Sequence, residues 1–118
     1  MSPQIISLSN SVSSESSTPA ADRLIAGSPK QTIRNHFTDS TDQFFAGEWS
    51  STPGTWRVRY TENELCVMTR GRCIITSDDG APAMFATGDA FVIPAGFSGT
   101  WEVLEDCTKI YAIFESST

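Results

Sequence analysis

The stretch Gly88-Asp89-Ala90-Phe91-Val92-Ile93-Pro94-Ala95-Gly96 decides the fold of this chain. Residues 91–93 form a short aromatic and β-branched run that is typical of a strand. Pro94 has no backbone N–H for a sheet hydrogen bond, so it ends that strand, and Gly96 permits a sharp turn into the next one. The stretch therefore predicts a short strand between two glycine turns.

The chain from Arg23 onward repeats this pattern of short strands and turn residues. Further β-branched and aromatic runs lie at residues 56–60, 65–68, 73–76 and 109–114. Asp78-Asp79-Gly80 predicts a tight hairpin, and Gly71 is predicted to separate the second and third runs in the same way. No segment has a helical apolar period over three turns. Closely spaced strands of this kind predict an all-β sandwich or barrel.

The first twenty residues differ in composition from the rest. Eight serines make residues 1–20 polar and of low complexity, and such a segment buries too little apolar surface to offset its ordering entropy. We predict a flexible tail at residues 1–20 and one barrel domain at residues 21–118. The alternative is an edge strand around Ile5, Ile6 and Leu8 that pairs with a partner subunit.

Composition limits the classes of partner. The net charge of −6 over 118 residues argues against nucleic acid and anionic membranes, because both require clustered Lys and Arg. The acidity serves solubility or favours neutral, zwitterionic or cationic ligands. The chain has no run of 18 apolar residues for a membrane span and no signal-peptide pattern in residues 1–20. The spacing of Cys66, Cys73 and Cys107 does not match a zinc-binding motif. Their odd number predicts reduced thiols, and reduced thiols are typical of a cytoplasmic protein.

Two stretches resemble the conserved motifs of the cupin superfamily. Residues 54–71 resemble the first motif and residues 88–103 the second. Together they resemble the branch related to the (S)-ureidoglycine aminohydrolase cupin domain and the ethanolamine-utilisation cupin, many members of which have no assigned function. The resemblance runs from about Arg23 to Glu115. It implies a single-domain RmlC-like cupin jelly-roll barrel (a double-stranded β-helix) that forms a homodimer.

The metal-ligand positions of those motifs are largely vacant. Glu64 fills the glutamate position. Counting forward from the first glycine of the motif, the two histidine positions hold Tyr60 and Glu62; counting back from Glu64, they hold Val58 and Tyr60. Gly99 stands at the histidine position of the second motif. One glutamate is not a transition-metal site, so we expect neither a metal nor another cofactor.

The weaker alternative is a divalent metal held by His36, Glu62 and Glu64. His36 is the only histidine of the chain and precedes both motifs. A single histidine beside Phe37 is more often a packing residue than a general base, so a catalytic role for His36 is disfavoured.

Strand alternation predicts a pocket in place of the metal. Tyr60, Glu62 and Glu64 share parity and face one side of a regular strand. If Glu64 faces inward, the candidate pocket residues are Tyr60, Glu62, Glu64, Cys66 and Trp101, with Met68 also inside. A buried carboxylate requires compensation from a tyrosine hydroxyl, water, an arginine such as Arg57 or Arg59, or the ligand itself.

Three functional classes remain open at this point. The first is a metal-free cupin that binds a small molecule in the barrel interior. The second is a small hydrolase or isomerase, like the ureidoglycine aminohydrolase relatives, that uses barrel carboxylates with or without a metal. The third is a purely structural dimer. Missing histidines favour the first. Consecutive apolar strand residues predict a homodimer with an apolar sheet-to-sheet or edge-exchanging interface, for which the segment around residues 33–45 is a candidate.

Overall fold

The computed structural model describes residues 2–117 and contains nine strands and no helix in that range. Consequently, no helix in the described range could cross a membrane. The strands are β1 (Glu15–Ser17), β2 (Leu24–Gly27), β3 (Gln31–Thr38), β4 (Phe44–Ser51), β5 (Gly54–Arg59), β6 (Asn63–Ser77), β7 (Pro82–Ala86), β8 (Ala90–Ile93) and β9 (Ser98–Phe114).

All strand pairs are antiparallel, and β9 lies at the centre of the sheet. Residues 98–103 of β9 pair with β5 and residues 107–114 pair with β4, while β6 runs along its other side. The sheet continues through β3 to β1 at one end, through β5 to β2 at another, and through β6 to β7 and β8. The sheet curls around a core of aromatic, aliphatic and cysteine side chains. The all-β, single-domain prediction is confirmed.

The two glycine turns at the ends of residues 88–96 form as predicted. Residues 91–93 lie in β8, and Gly88 and Gly96 have φ angles of 95° and 92°. A side chain would be strained at such angles, so glycine is the residue that allows both turns.

Gly71 departs from the prediction, because it is not a turn between two strands. It lies inside the continuous strand β6 with a φ of 79°, and the register with β9 shifts between Met68 and Cys73. Buried positions are even-numbered before this β-bulge (Cys66, Met68) and odd-numbered after it (Cys73, Ile75). The extra residue keeps apolar side chains of both halves of the strand in the core.

Three residues of the serine-rich segment belong to the sheet. β1 pairs with β3 in the register Glu15 with Ile33 and Ser17 with Gln31. Ile5, Ile6 and Leu8, the alternative edge strand, lie in no strand. The domain boundary at residue 20 stays a prediction.

Candidate functional site

A cleft of about 560 Å³ opens on the inner side of the curled sheet. Its walls come from β3, β4, β5, β6 and β9 and from the turn between β5 and β6. All three tryptophans of the chain line it. Its side chains include Asn35, Trp49, Trp56, Tyr60, Glu62, Glu64, Trp101, Lys109 and Tyr111. This volume is in the usual range of small-molecule sites.

A buried ion pair forms the floor of the cleft. Lys109 Nζ lies 2.8 Å from Glu64 Oε2, and each side chain is 5% exposed. Glu64 alternates with exposed Leu65 on β6, and Lys109 is one of the inward positions of β9. A fully desolvated pair is tolerated only when each charge compensates the other.

Two indole rings surround the ammonium group. Lys109 Nζ lies 4.7 Å from the ring centroid of Trp49 and 4.5 Å from that of Trp101. Burial alone lowers the pKa of Lys109, but the acidic groups of Tyr60 and Glu64 outweigh burial and raise the pKa above its ordinary value. The floor of the cleft therefore carries a permanent ammonium group, stabilised by a carboxylate and by cation–π contacts.

One buried polar group at the cleft has no hydrogen-bond partner. Trp101 Nε1 lies near the Tyr60 hydroxyl and slightly lowers the pKa of Tyr60. No acceptor in residues 2–117, however, is in hydrogen-bond geometry with Trp101 Nε1. Burial has the larger effect on Tyr60 and raises the pKa of its phenol, which stays protonated at neutral pH. Buried donors are nearly always satisfied in native proteins, so an unsatisfied Trp101 N–H beside the cleft is an exception that an acceptor from a bound molecule would explain.

The pocket residues predicted from the sequence lie partly in the cleft lining and partly in the core. Tyr60, Glu62, Glu64 and Trp101 line the cleft. Cys66 is fully buried in the core and is not part of the lining. The compensating partner of Glu64 was expected to be a tyrosine, water, a ligand or an arginine such as Arg57 or Arg59. The structure gives that role to Lys109 instead.

Sequence reasoning missed Lys109, although the chain contains a signal for it. Residues 109–114 form an apolar strand run with a lysine at its first position, and the chain has only one other lysine, Lys30. Lys109 shares parity with Tyr111 and Ile113, which also line the cleft. A charged residue on the inward parity of a strand requires a charged partner, and Glu64 was the available candidate.

His36 is not brought together with the two glutamates. Its ring nitrogens lie 3.1 Å from the Arg34 carbonyl oxygen and 3.0 Å from that of Asn10. His36 is absent from the cleft lining, and residues 2–117 contain no group of three His, Cys, Asp or Glu side chains able to hold a metal.

The second-motif ligand position is closed by backbone. Gly99 is buried, and a Cβ there would overlap the carbonyl oxygen of Thr76. Glu64, the one glutamate that fills a motif position, is already paired with the Lys109 ammonium. The side chains present do not fit a cupin metal, because a cation and a backbone contact occupy the places where ligands would converge.

The buried thiols predict loss of stability at alkaline pH. Burial raises the pKa of Cys66 and Cys73 to about 12 and that of Cys107 to about 11, from an ordinary value of 9.0. The protonated thiols therefore contribute stability that is complete below pH 9 and is lost as the pH rises through the folded-state values. The thiol contribution to the free energy of unfolding, measured in urea, should be constant below pH 9 and should fall between pH 9 and pH 11.

The matched measurement for that prediction is thiol titration with an aromatic disulfide reagent. All three cysteines are free and buried, so we expect reaction only after unfolding in urea. Rapid reaction of the native protein at neutral pH would contradict the burial on which the pH dependence rests.

The curled sheet and its lined cleft define a cupin, and comparison with known proteins supports this conclusion. The family model of the EutQ-like cupin domain matches residues 38–111. The chain belongs to this family. No protein with a curated description is significantly similar to it.

Solved structures show the same fold. A DUF861-family protein of unknown function from Pseudomonas syringae pv. tomato has a TM-score of 0.80 at 23% identity, over 92% of this chain and 46% of that chain. The EutQ protein of Clostridium difficile has a TM-score of 0.67 at 18% identity, over 75% and 65%. A DUF861-family protein from Thermotoga maritima has a TM-score of 0.56 at 30% identity, over 57% and 76%. The chain thus spans about half of the Pseudomonas protein and about two-thirds of the Clostridium one.

Proposed function

We propose that this protein is a metal-free cupin that binds a small molecule in the cleft above the Lys109–Glu64 pair. The observation that carries the proposal is the buried ammonium group at the floor, in contact with Glu64 and two indole rings. A lysine ammonium can bind and polarise a ligand oxygen, as a metal ion does, with one positive charge and no dedicated ligand set. The aromatic walls supply the apolar contact area of a small-molecule site.

Intrinsic fluorescence tests this proposal directly. Because all three tryptophans line the cleft, a bound molecule should change the emission of the protein. We expect hits from a screen of small metabolites, and we expect them to be lost in the double variant Glu64→Leu/Lys109→Met. Arg70→Gln is the matched control, because Arg70 pairs with Asp106 away from the cleft. Hits that persist unchanged in the double variant would contradict a ligand site at this floor.

The same proposal predicts metal content. Purified protein should contain transition metals far below one atom per chain, and chelation should leave its melting temperature unchanged. Elemental analysis and a thermal melt with EDTA measure both quantities. Near-equimolar Zn, Mn, Fe or Ni that chelation removes together with thermal stability would contradict a metal-free site.

We propose further that the protein is a homodimer that covers the outer face of its sheet. Phe44 and Phe114 are opposite each other on β4 and β9, as are Leu65 and Val92 on β6 and β8, and all four are between 39% and 61% exposed. A contiguous apolar face of this kind is typical of an interaction site. Light scattering should give twice the chain mass, and Leu65→Glu should give a monomer. Met84→Glu is the control, because Met84 is an exposed apolar residue on β7, and a monomeric wild type would contradict the proposal.

We also propose a cytoplasmic location, which the three free cysteines support because a reducing compartment keeps thiols unpaired. Recovery of the protein from an extracellular or periplasmic fraction would contradict it.

A further inference from the structure

We propose that the molecule bound in this cleft is a small organic carboxylate whose oxygens accept hydrogen bonds from Lys109 Nζ and Trp101 Nε1. The inference rests on the proposed function above and adds the chemical class of the ligand.

One buried donor at the floor of the cleft is unsatisfied, and the lysine ammonium there has several N–H groups to share. The Lys109 ammonium has three N–H groups, and the hydrogen-bond acceptor beside it is Glu64 Oε2 at 2.8 Å. The Trp101 N–H lies near the Tyr60 hydroxyl but has no acceptor in hydrogen-bond geometry within the described residues, and the Tyr111 hydroxyl already donates to Asn35 Oδ1 at 2.7 Å. An unsatisfied buried donor is costly, so the floor favours a ligand that brings an acceptor.

The charges around the cleft favour a negative acceptor. Four positive side chains and two negative ones line it, although the whole chain has a net charge of −6. The lining charges are Arg23, Arg57, Arg59, Lys109, Glu62 and Glu64. Overall acidity predicted a neutral, zwitterionic or cationic ligand. The local charge determines the field that a ligand meets in a cleft, and here it favours a ligand with a negative group.

The arginines that line the cleft differ from the other arginines in their ion pairs. Arg34, Arg70 and Arg72 form ion pairs with acidic side chains, at 3.7 to 3.9 Å. Within residues 2–117, the three arginines that line the cleft form none. Arg57 and Arg59 are exposed and alternate with core-facing Trp56 and Val58, yet both contribute to the cleft lining, so they lie at its outer rim. At the rim, their positive charges attract an anion into the cleft. The direct hydrogen bonds to that anion come from the donors at the floor.

The geometry selects a carboxylate with an apolar body. Glu64 already takes part of the Lys109 charge, so the floor suits a single negative charge better than a phosphate, which requires several converging donors. Trp56 and Trp101 are stacked with ring centroids 6.3 Å apart, and Trp49 packs edge-on against Trp101 at 5.3 Å. These indole walls favour a flat or apolar group next to the carboxylate.

The test uses three probes of one shape and different charge: phenylacetate, phenylacetamide and phenethylamine. Titrations are followed by tryptophan fluorescence, with the wild type and three double variants. We expect phenylacetate to bind about tenfold more tightly than the amide, because a charge-assisted hydrogen bond is about twice as strong as a neutral one. Phenethylamine should not bind.

The variants assign that preference to the cleft. Glu64→Leu/Lys109→Met should abolish phenylacetate binding. Arg57→Gln/Arg59→Gln should weaken it severalfold and reduce its salt dependence. Arg70→Gln/Arg72→Gln removes the same charge from paired, exposed positions and should leave phenylacetate binding unchanged.

The outcomes distinguish a wrong ligand class from a wrong binding site. If the amide or the amine binds as tightly as phenylacetate, and Glu64→Leu/Lys109→Met abolishes that binding, the carboxylate class is wrong and the cleft remains the site. If phenylacetate binds equally well to that double variant, both are overturned. If none of the probes binds at millimolar concentration, the carboxylate inference is overturned, and the metabolite screen decides the proposed function. Equal effects of the two arginine pairs would also overturn the role given to the rim.

Discussion

Lys109→Met should lower the free energy of unfolding by about 3–5 kcal/mol, the usual effect of breaking a buried ion pair. The substitution removes the ion-pair partner of the Glu64 carboxylate, which is 5% exposed, and it removes the cation–π contacts with Trp49 and Trp101. A small domain has a total stability of about 5–15 kcal/mol, so the loss is a large fraction of it. Urea unfolding of wild type and variant measures the difference.

The double variant distinguishes a lost pair from a lost side chain. Glu64→Leu/Lys109→Met removes both charges and replaces them with apolar groups, so it should regain most of the stability lost by Lys109→Met alone. Lys30→Met is the control, because Lys30 is exposed and forms no ion pair within residues 2–117. A loss below about 1 kcal/mol for Lys109→Met, the value of a surface ion pair, would show that the pair is not buried.

Gly99→Ala should destabilise the protein by about 3 kcal/mol, and Gly99→His by more, without creating a metal site. A Cβ at this position would overlap the Thr76 carbonyl oxygen, which belongs to the backbone of β6 and cannot rotate away. Gly99 has no positive φ, so the effect is steric overlap and not strain of its own backbone. Thermal melts with and without added Zn²⁺ or Mn²⁺ measure the stability and any metal binding.

Gly96→Ala is the matched control in the same turn region. Its φ of 92° makes a side chain unfavourable, but a Cβ there meets nothing within 4 Å. We therefore expect a smaller loss of about 1–2 kcal/mol, from backbone strain alone. A Gly99→His variant as stable as the wild type, and further stabilised by Zn²⁺, would contradict the steric account of the missing ligand.

Local signals in the sequence predict the strands and turns of this fold. Pro94, Gly88 and Gly96 determine the ends of β8 by backbone chemistry that needs no knowledge of the rest of the chain. The β-bulge at Gly71 was misread as a turn, since both require a glycine with positive φ, and only pairing with β9 distinguishes them. β1 was not predicted because an edge strand can form through main-chain hydrogen bonds without apolar residues.

The sequence indicated only one residue of the buried ion pair, Glu64 on β6, and not its partner Lys109 on β9. Tyr60, Glu62 and Glu64 are neighbours in sequence and all line the cleft, but Tyr60 and Glu62 do so from the turn between β5 and β6, so the regular strand on which their shared parity was argued does not form there. Lys109 pairs with Met68 and Ile113 pairs with Glu64 in the register of β6 with β9, so the ion pair joins two residues that are distant in sequence. That register depends on the whole sheet, including the bulge at Gly71, so the need for a partner was predictable from Glu64 but its identity was not.

The most direct test of the central claim is an NMR titration of the lysine ammonium groups with ¹⁵N-labelled lysine. The chain has two lysines, so the spectrum contains one signal from exposed Lys30 as an internal reference and one from Lys109. We predict that the Lys109 signal exchanges slowly with water, is shifted by the rings of Trp49 and Trp101, and remains protonated beyond pH 10.5, because its pKa is raised. Two fast-exchanging signals that titrate together like free lysine would contradict a permanent ammonium group at the floor of the cleft.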